Sequence, residues 1–299
     1  MSAQKLVVWF SDVDKEDISL VGGKGANLGE MVRVSFPVPE GFIVTSLAYK
    51  DFVKRNNLEQ KIKHLLSTVD FDNPDSLNQV SSHIKRQIIE GEFSKELIIE
   101  IYDHYKKLSG VLTDALVAVR SSATAEDLPG ASFAGQQETF LNVKGEANLI
   151  QKIKEAWASL FEARAIFYRH ENRFDSSKVL IAVPVQKMVQ SEKSGVMFTI
   201  DPLNNDKDKI IIEAIYGLGE MIVQGEETPD HYKISKSDLS ILEKEISEQK
   251  RKLVRKGGKN TEVRILGKDS KRQKLTDKEI LELARLGKKL AHHYFFPQD

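Results

Sequence analysis

Residues 117–140, with the sequence VAVRSSATAEDLPGASFAGQQETF, combine an apolar strand with arginine, hydroxyl, acidic and glycine residues. The apolar start predicts a buried strand, and Arg120 stands where that strand ends. The small polar residues and glycines that follow predict a loop whose backbone can approach a ligand closely. Backbone N–H groups beside a fixed guanidinium suit a polyphosphate, whereas an isolated Arg-Ser-Ser would favour a structural salt bridge. The length and mixed chemistry of the loop favour the functional interpretation.

A second glycine-rich stretch, LVGGKGANLGEM, occupies residues 20–31 and surrounds Lys24 with three glycines. The apolar positions that follow predict a helix over residues 23–33. A glycine-rich turn that opens a helix offers N–H groups and the positive end of the helix dipole to an anion. The spacing differs from that of a Walker P-loop, and alone it fits a simple helix entry equally well.

Three blocks of the sequence together resemble a known family. They are GGKGANLGEM (22–31), AVRSSATAEDLPGASFAGQQETFLNV (118–143) and IYGLGE (215–220) followed by VQG (223–225). They are similar to the nucleotide-binding domain of the phosphoenolpyruvate synthase (pyruvate, water dikinase) family, which pyruvate phosphate dikinase and rifampicin phosphotransferase share. The resemblance covers essentially all of residues 1–299 and implies an α/β (α+β) fold of the ATP-grasp type. It implies two lobes, 1–187 and 188–299, with the nucleotide in the cleft between them.

The resemblance also implies the site residues. Lys24 and Arg120 correspond to the catalytic residues that contact the ATP phosphates. The lid after the arginine contributes Gly135 and Thr139. Residues 182–189, AVPVQKMV, resemble the strand and hinge that hold adenine, where Gln186 and Met188 contact the nucleotide.

The last residues, FFPQD (295–299), resemble the entry to the terminal acidic strand of the family. The resemblance implies Asp299 as a ligand of Mg²⁺, the expected metal cofactor beside ATP. The next acidic residue of the family pattern would lie beyond Asp299, so we expect a shortened chain with reduced catalytic competence.

Enzymes of the resembled family make phosphoenolpyruvate from ATP, pyruvate and water, and release AMP and phosphate. They use a swivelling phosphohistidine domain and a pyruvate-binding barrel, and we expect both as partners because this chain carries neither pattern. We therefore expect an ATP- and AMP-binding phosphotransferase domain that cannot complete the reaction alone. The alternatives are the nucleotide domain of a rifampicin-phosphotransferase-like enzyme and a non-catalytic ATP-binding module.

Composition restricts the other functional classes. The chain has 44 basic and 44 acidic residues and no cysteine, which excludes disulfides and thiolate metal sites. Zero net charge argues against a nucleic-acid partner. No segment reaches membrane-spanning length, and the N-terminal apolar run is too short for a signal peptide, so we expect no membrane partner and a cytoplasmic location.

Several local patterns give further expectations. Residues 147–173 predict one long amphipathic helix, with Phe167 on its apolar side and Arg169 solvated or paired on the other side. Asp75 is the expected cap of a helix that begins near residue 74, and Thr276 is the expected cap of a helix over 276–294. The charged residues 236–273 predict a solvated hairpin.

Two acidic residues of the second lobe leave alternatives open. Glu213 lies in a buried-strand pattern and needs either an active-site cation or a structural ion pair. Asp201 could face the nucleotide, but Asp-Pro is also an ordinary strand terminator, which is the interpretation we favour.

Overall fold

The computed structural model describes residues 5–110, 113–124, 138–174, 179–256 and 259–299. The chain divides into two compact units, Met1–Met188 and Val189–Asp299. Each unit combines helices with antiparallel sheet, which confirms the predicted α+β class. Within those ranges, no helix has both the length and the apolar character that crossing a membrane requires.

The sheet of the first unit is antiparallel and has the order β1-β2-β6-β3-β5, with β4 paired to β6. Its strands in the described residues are β1 (Val7–Trp9), β2 (Gly41–Val44), β3 (Val117–Arg120), β4 (Ser122–Ala123), β5 (Thr139–Val143) and β6 (Ile181–Lys187). Side chains alternate between the faces of a strand. Because Val117 and Val119 lie fully buried in the large core, Ala118 and Arg120 project from the opposite face.

The helices of the first unit cover the two faces of its sheet unequally. In the described residues these helices are α1 (Ile18–Arg33), α2 (Ser46–Arg55), α3 (Leu58–Ser67), α4 (Pro74–Glu90), α5 (Lys95–Leu108), α6 (Glu146–Ala158) and α7 (Ala163–Glu171). Residues of α1 pack with Ile43 and Ala182 in a small core on one face. Helices α2 to α7 contribute to the large core on the other face, where Trp157 is fully buried.

The prediction of one helix over residues 147–173 is wrong. A 3-10 turn, Ser159–Phe161, and an extended Glu162 (φ −57°, ψ 141°) separate α6 from α7. The interruption turns the second helix, so Arg169 is buried with 1% exposure and donates to the Leu160 carbonyl at 2.6 Å, while Phe167 is 41% exposed. Desolvation lowers the pKa of Arg169 to about 10. The reversal follows from tertiary packing, since no glycine or proline marks the break.

The expected cap of α4 is also wrong by two residues. The Asn73 side chain, rather than Asp75, accepts hydrogen bonds from the N–H groups of Asp75 and Ser76, at 3.0 and 3.4 Å. Pro74 occupies the first helical position, so the capping position falls on the residue before it.

The second unit has a four-stranded antiparallel sheet of order β10-β9-β8-β7 in its described residues. The strands are β7 (Lys193–Phe198), β8 (Lys209–Tyr216), β9 (Asp230–Ser235) and β10 (Ile241–Glu245). A separate hairpin pairs β11 (Arg251–Lys256) with β12 (Lys259–Arg264), so the hairpin predicted for residues 236–273 is confirmed for this part only, and residues 241–245 belong to the four-stranded sheet. The helices are α8 (Glu220–Val223) and α9 (Asp277–Tyr294), and the Thr276 cap of α9 is confirmed.

A buried ion pair holds the centre of the second unit. Lys274 and Asp230 are both fully buried, with 2.6 Å between Nζ and Oδ1. Asp230 also accepts from the Tyr232 hydroxyl at 2.7 Å, from the Ser247 N–H at 3.0 Å and from the Lys274 N–H at 2.8 Å. These bonds tie β9 to the segments that precede β11 and α9.

Acid should weaken the attachment of α9 through Glu279. Hydrogen bonds from Lys193 and Thr276 lower the pKa of Glu279 from 4.5 to about 2. Because the unfolded chain holds this proton more tightly than the folded one, the stabilisation is complete above pH 4.5 and is lost as the pH falls toward 2.

We expect the melting temperature of Glu279→Gln to fall less than that of the wild type between about pH 5 and about pH 2.5. Scanning calorimetry measures this difference. Glu282→Gln, at an exposed position of the same helix, is the control and should keep the wild-type dependence. An identical acid dependence in all three proteins would contradict the role of Glu279.

Candidate functional site

The glycine-rich stretch forms a sharp bend inside α1. Gly22 leaves the helical conformation with φ 68° and ψ 169°, so the chain begins a new helix at Gly23. Lys24 lies in the first turn of this new helix, at the end where the helix dipole is positive. The positive end of the helix dipole and the lysine charge therefore lie together, as an anion requires.

The bend lies directly against the segment that follows Arg120. A Cβ atom on Gly22 would lie 2.3 Å from Ser122 Oγ and 2.5 Å from the Ser122 carbonyl oxygen. Ser122 is fully buried, and its hydroxyl has no hydrogen-bond partner in the part of the chain that the structure describes. Gly22 and Ser122 are 100 positions apart in the sequence, so this contact joins the two glycine-rich motifs.

The end of β3 is held on both sides. Ser121 donates its N–H to the Glu138 carbonyl at 3.0 Å, on the β5 side. Thr124 donates its N–H to the Leu180 carbonyl at 2.9 Å, on the β6 side, and its hydroxyl donates to the same oxygen at 3.1 Å. Arg120 therefore projects from a backbone that is fixed at both flanks.

Three of the predicted ligand residues share one face of the sheet. Residues directly opposite each other in an antiparallel ladder place their side chains on the same face. Arg120 is opposite Thr139, and Ala118 is opposite Gln186. Ala182 lies four residues before Gln186 on β6, so both side chains project from the same face. Ala182 packs with residues of α1 in the small core, and α1 therefore lies on this face. The structure thus brings Arg120, Thr139 and Gln186 to the side of the sheet on which Lys24 lies.

The predicted adenine-binding residues Gln186 and Met188 make hydrogen bonds within the first unit. Gln186 donates its side-chain amide to the Pro39 carbonyl at 3.3 Å. Met188 donates its N–H to the Leu116 carbonyl at 2.8 Å, and its sulfur accepts from the Asn142 N–H at 3.0 Å. Gly135 lies outside the described residues.

Asp299 belongs to the second unit. It is exposed and follows Gln298, whose backbone exchanges hydrogen bonds with Thr199 at 2.6 and 2.8 Å. No group of three or more histidine and acidic residues in the described ranges is arranged to hold a metal ion. The structure therefore does not join Asp299 to a ready-made metal cluster.

Glu213 and Asp201, for which the sequence allowed two interpretations each, both lie beside basic side chains of the second unit. Glu213 is opposite His231 in the ladder between β8 and β9, with 3.6 Å between Oε1 and Nδ1. Asp201 is 2% exposed and lies 2.9 Å from the Lys233 ammonium. The hydrogen bond from Lys233, supported by the Leu203 N–H, lowers the pKa of Asp201. A structural ion pair with Lys233 therefore accounts for Asp201, while the Glu213 carboxylate is partly exposed and lies beside a histidine of the neighbouring strand.

The first unit thus presents a lysine, an arginine and helix N-terminal N–H groups on one side of a sheet. This arrangement can bind an oligophosphate through charge-assisted hydrogen bonds. The close contact of Ser122 with Gly22 was not predicted from the sequence, because it joins two segments that are far apart in the chain. The glycine at position 22 was the available signal for it.

Replacing Gly22 with alanine should destabilise the first unit. The backbone conformation at Gly22 is one that other residues adopt at a cost of about 1–3 kcal/mol, and the contact with Ser122 adds to that cost. Urea unfolding followed by tryptophan fluorescence measures the effect, because Trp9 and Trp157 both belong to this unit.

Gly110→Ala is the matched control, since the nearest atom to its new Cβ would be 3.8 Å away. We expect the control to unfold like the wild type. A Gly22→Ala protein with wild-type stability would show that the close approach of the two motifs is not required.

Comparisons with known proteins identify the family of this chain. The sequence profile of the family described as pyruvate phosphate dikinase, AMP/ATP-binding domain, matches residues 18–299. A probable phosphoenolpyruvate synthase from Archaeoglobus fulgidus is 48% identical over 294 residues, which are 98% of this chain and 39% of that protein. A probable phosphoenolpyruvate synthase from Methanothermobacter thermautotrophicus is 44% identical over 298 residues, covering 99% of this chain and 43% of that protein.

A phosphoenolpyruvate synthase from Aeropyrum pernix is 43% identical over 324 residues, covering 99% of this chain and 40% of that protein. The chain thus spans about two fifths of the length of these relatives. Because the family profile matches most of the sequence, this chain belongs to the family of pyruvate phosphate dikinase AMP/ATP-binding domains.

Proposed function

We propose that this chain is the ATP-binding domain of a phosphoenolpyruvate synthase and that its fold is of the ATP-grasp type. The observation that carries the proposal is the contact between Gly22 and Ser122, which brings the Lys24 turn beside the strand of Arg120. The names of the relatives support the choice of reaction.

The oligophosphate of ATP would bind between the helix that starts at Gly23 and the end of β3. Lys24 contributes a mobile point charge and N–H groups from the first helical turn. Arg120 contributes a planar guanidinium that can contact two phosphate oxygens at once. Thr139 and Gln186 lie on the same face and have side chains able to hydrogen-bond further groups of the nucleotide.

The proposed reaction transfers the β-phosphoryl group of ATP to a histidine nitrogen on a separate domain. The bond between the β-phosphorus and its bridging oxygen to the α-phosphorus breaks, AMP leaves with that oxygen, and water takes the γ-phosphoryl group as phosphate. Arg120 and Lys24 stabilise the charge on the transferring oxygens. Pyruvate then loses a methyl proton to form its enolate, the enolate oxygen takes the phosphoryl group as the P–N bond of phosphohistidine breaks, and phosphoenolpyruvate and free histidine result.

Mg²⁺ would enter with the nucleotide, because magnesium commonly binds through substrate phosphates and only one or two carboxylates. The absence of a cluster of histidine and acidic side chains among the described residues agrees with that mode of binding. Asp299 stays the metal ligand that the resemblance to the family implies. The ion would neutralise phosphate charge when bound.

A test of the reaction uses a protein that contains this chain together with a phosphohistidine domain and a pyruvate-binding domain. ATP labelled in the β- or the γ-phosphate is supplied with pyruvate or with rifampicin. We expect the β-label in phosphoenolpyruvate and the γ-label in inorganic phosphate. Labelled rifampicin would assign the chain to the rifampicin-phosphotransferase type. ATP binding without any label transfer would indicate a non-catalytic module.

A further inference from the structure

A second binding region lies in the helical layer of the first unit. Helices α2, α3 and α7 and the segments beside them line a partly open cavity of about 930 Å³. Several of its lining residues, among them Tyr49, Phe161 and Ile166, belong to the large core. That core covers the sheet face opposite to the one from which Arg120 projects, so the cavity is distinct from the proposed nucleotide site.

The interior of this cavity is apolar and aromatic. Each helix contributes residues at the i, i+4 spacing that places side chains on one helical face. The ring of Phe71 stacks on His170 with 3.5 Å between centroids and 9° between planes. The apolar lining includes Val53, Ile62, Leu66, Phe71, Phe161 and Ile166. Cavities of this size and character bind small ligands that bury most of their surface.

Among the described residues of the lining, the charged ones are predominantly basic. Lys50 and Lys54 lie one turn apart on α2, and Lys63 lies on α3, while Glu59 is the acidic residue of this described set. All three lysines are exposed, and none of them has an ion-pair partner within the described parts of the chain. Three cations beside an apolar interior favour a ligand with one anionic group and an apolar body.

We propose that this cavity binds a small amphipathic anion, with its apolar body in the cavity and its charged group at Lys50, Lys54 and Lys63. The apolar lining argues against a simple inorganic anion, and the lysines argue against a cationic or neutral amphiphile. The site acts apart from the nucleotide face, so it does not depend on the proposed phosphoryl transfer.

Calorimetric titration with dodecanoate below its micellar concentration tests the proposal on the 299-residue chain. Dodecyltrimethylammonium has the same tail with the opposite charge, and acetate has the head group without the tail. We expect saturable binding of dodecanoate at one site, with a raised melting temperature, and no comparable binding of either control. Equal binding of both dodecyl compounds, or no binding of dodecanoate to the folded chain, would overturn the proposal.

Matched variants locate the bound dodecanoate. Lys63→Glu should weaken its binding about tenfold, because the substitution replaces attraction with repulsion at the cavity. Lys61→Glu, on the same helix but outside the lining, carries the same change of net charge and should bind nearly as the wild type does. Equal affinities of the two variants would overturn the assignment.

Leu66→Trp fills the cavity without changing its charge and should also reduce dodecanoate binding at least about tenfold. Circular dichroism establishes that each variant is folded, and Lys63→Gln replaces Lys63→Glu if the latter fails to fold. ATP binding should stay at the wild-type level in all of them. Unaltered dodecanoate binding by a folded Leu66→Trp protein would place the anion elsewhere.

Discussion

Arg120→Ala should reduce phosphoryl transfer from ATP by about 10³-fold in a protein that also contains the phosphohistidine and pyruvate-binding domains. The expectation follows from the position of Arg120 at the end of β3, where bonds at Ser121 and Thr124 fix the backbone on both sides. A guanidinium that projects from a fixed backbone needs little reorganisation to stabilise charge in the transition state. Single-turnover release of labelled phosphate and AMP measures the effect.

Two controls distinguish chemistry from folding. Arg120→Lys keeps the charge but loses the bidentate fork, so its rate should lie between those of the wild type and the alanine variant. Arg55→Ala removes an exposed arginine of the same unit, which pairs with Asp51 one turn away, and should leave the rate unchanged. An Arg120→Ala protein with wild-type turnover would remove Arg120 from the site.

Asp230→Asn should destabilise the second unit by about 3–5 kcal/mol. The substitution leaves the fully buried Lys274 ammonium without its carboxylate. It also alters the group that accepts hydrogen bonds from the Tyr232 hydroxyl and the Ser247 N–H. Burying an unpaired charge in this way costs far more than the loss of an exposed ion pair.

Tryptophan fluorescence is a poor probe for this prediction, since Trp9 and Trp157 both belong to the first unit. Hydrogen exchange at the Ile212 and Tyr232 amides, on paired positions of β8 and β9, reports on the second unit directly. The double variant Asp230→Asn/Lys274→Met should recover part of the lost stability. A loss below about 1 kcal/mol in the single variant would show that water reaches the pair.

Features that depend on local sequence were predictable. Thr276 and Glu279 form a capping box within four residues, and the helix that they begin was correctly predicted. The alternating and apolar strands of the sheets were likewise visible because their periodicity is a local property. The α+β class follows from those elements.

Features that depend on distant contacts were not predictable. The break between α6 and α7 has no glycine or proline, and Arg169 is buried because it bonds to Leu160 across the break. The pair of Asp230 and Lys274 spans 44 positions. Neither residue differs in its local surroundings from the many charged residues at the surface.

The candidate site combines features that the local sequence predicts with features that depend on distant contacts. Its two glycine-rich motifs stand out in the sequence, and resemblance to a family provided the residues to consider. The structure adds what the pattern lacks, namely the contact of Gly22 with Ser122 and the common face of Arg120, Thr139 and Gln186. The ligand contacts themselves stay predictions.

The most direct test of the account is calorimetric titration of this chain with Mg-ATP, AMP and GTP, beside Lys24→Ala, Arg120→Ala and the surface control Lys61→Ala. We expect adenine nucleotides to bind in preference to GTP, with affinity for Mg-ATP reduced about tenfold or more by each site substitution and unchanged in the control. Failure of the folded wild-type chain to bind adenine nucleotides, or equal affinity in all four proteins, would contradict the assignment of this face as the nucleotide site.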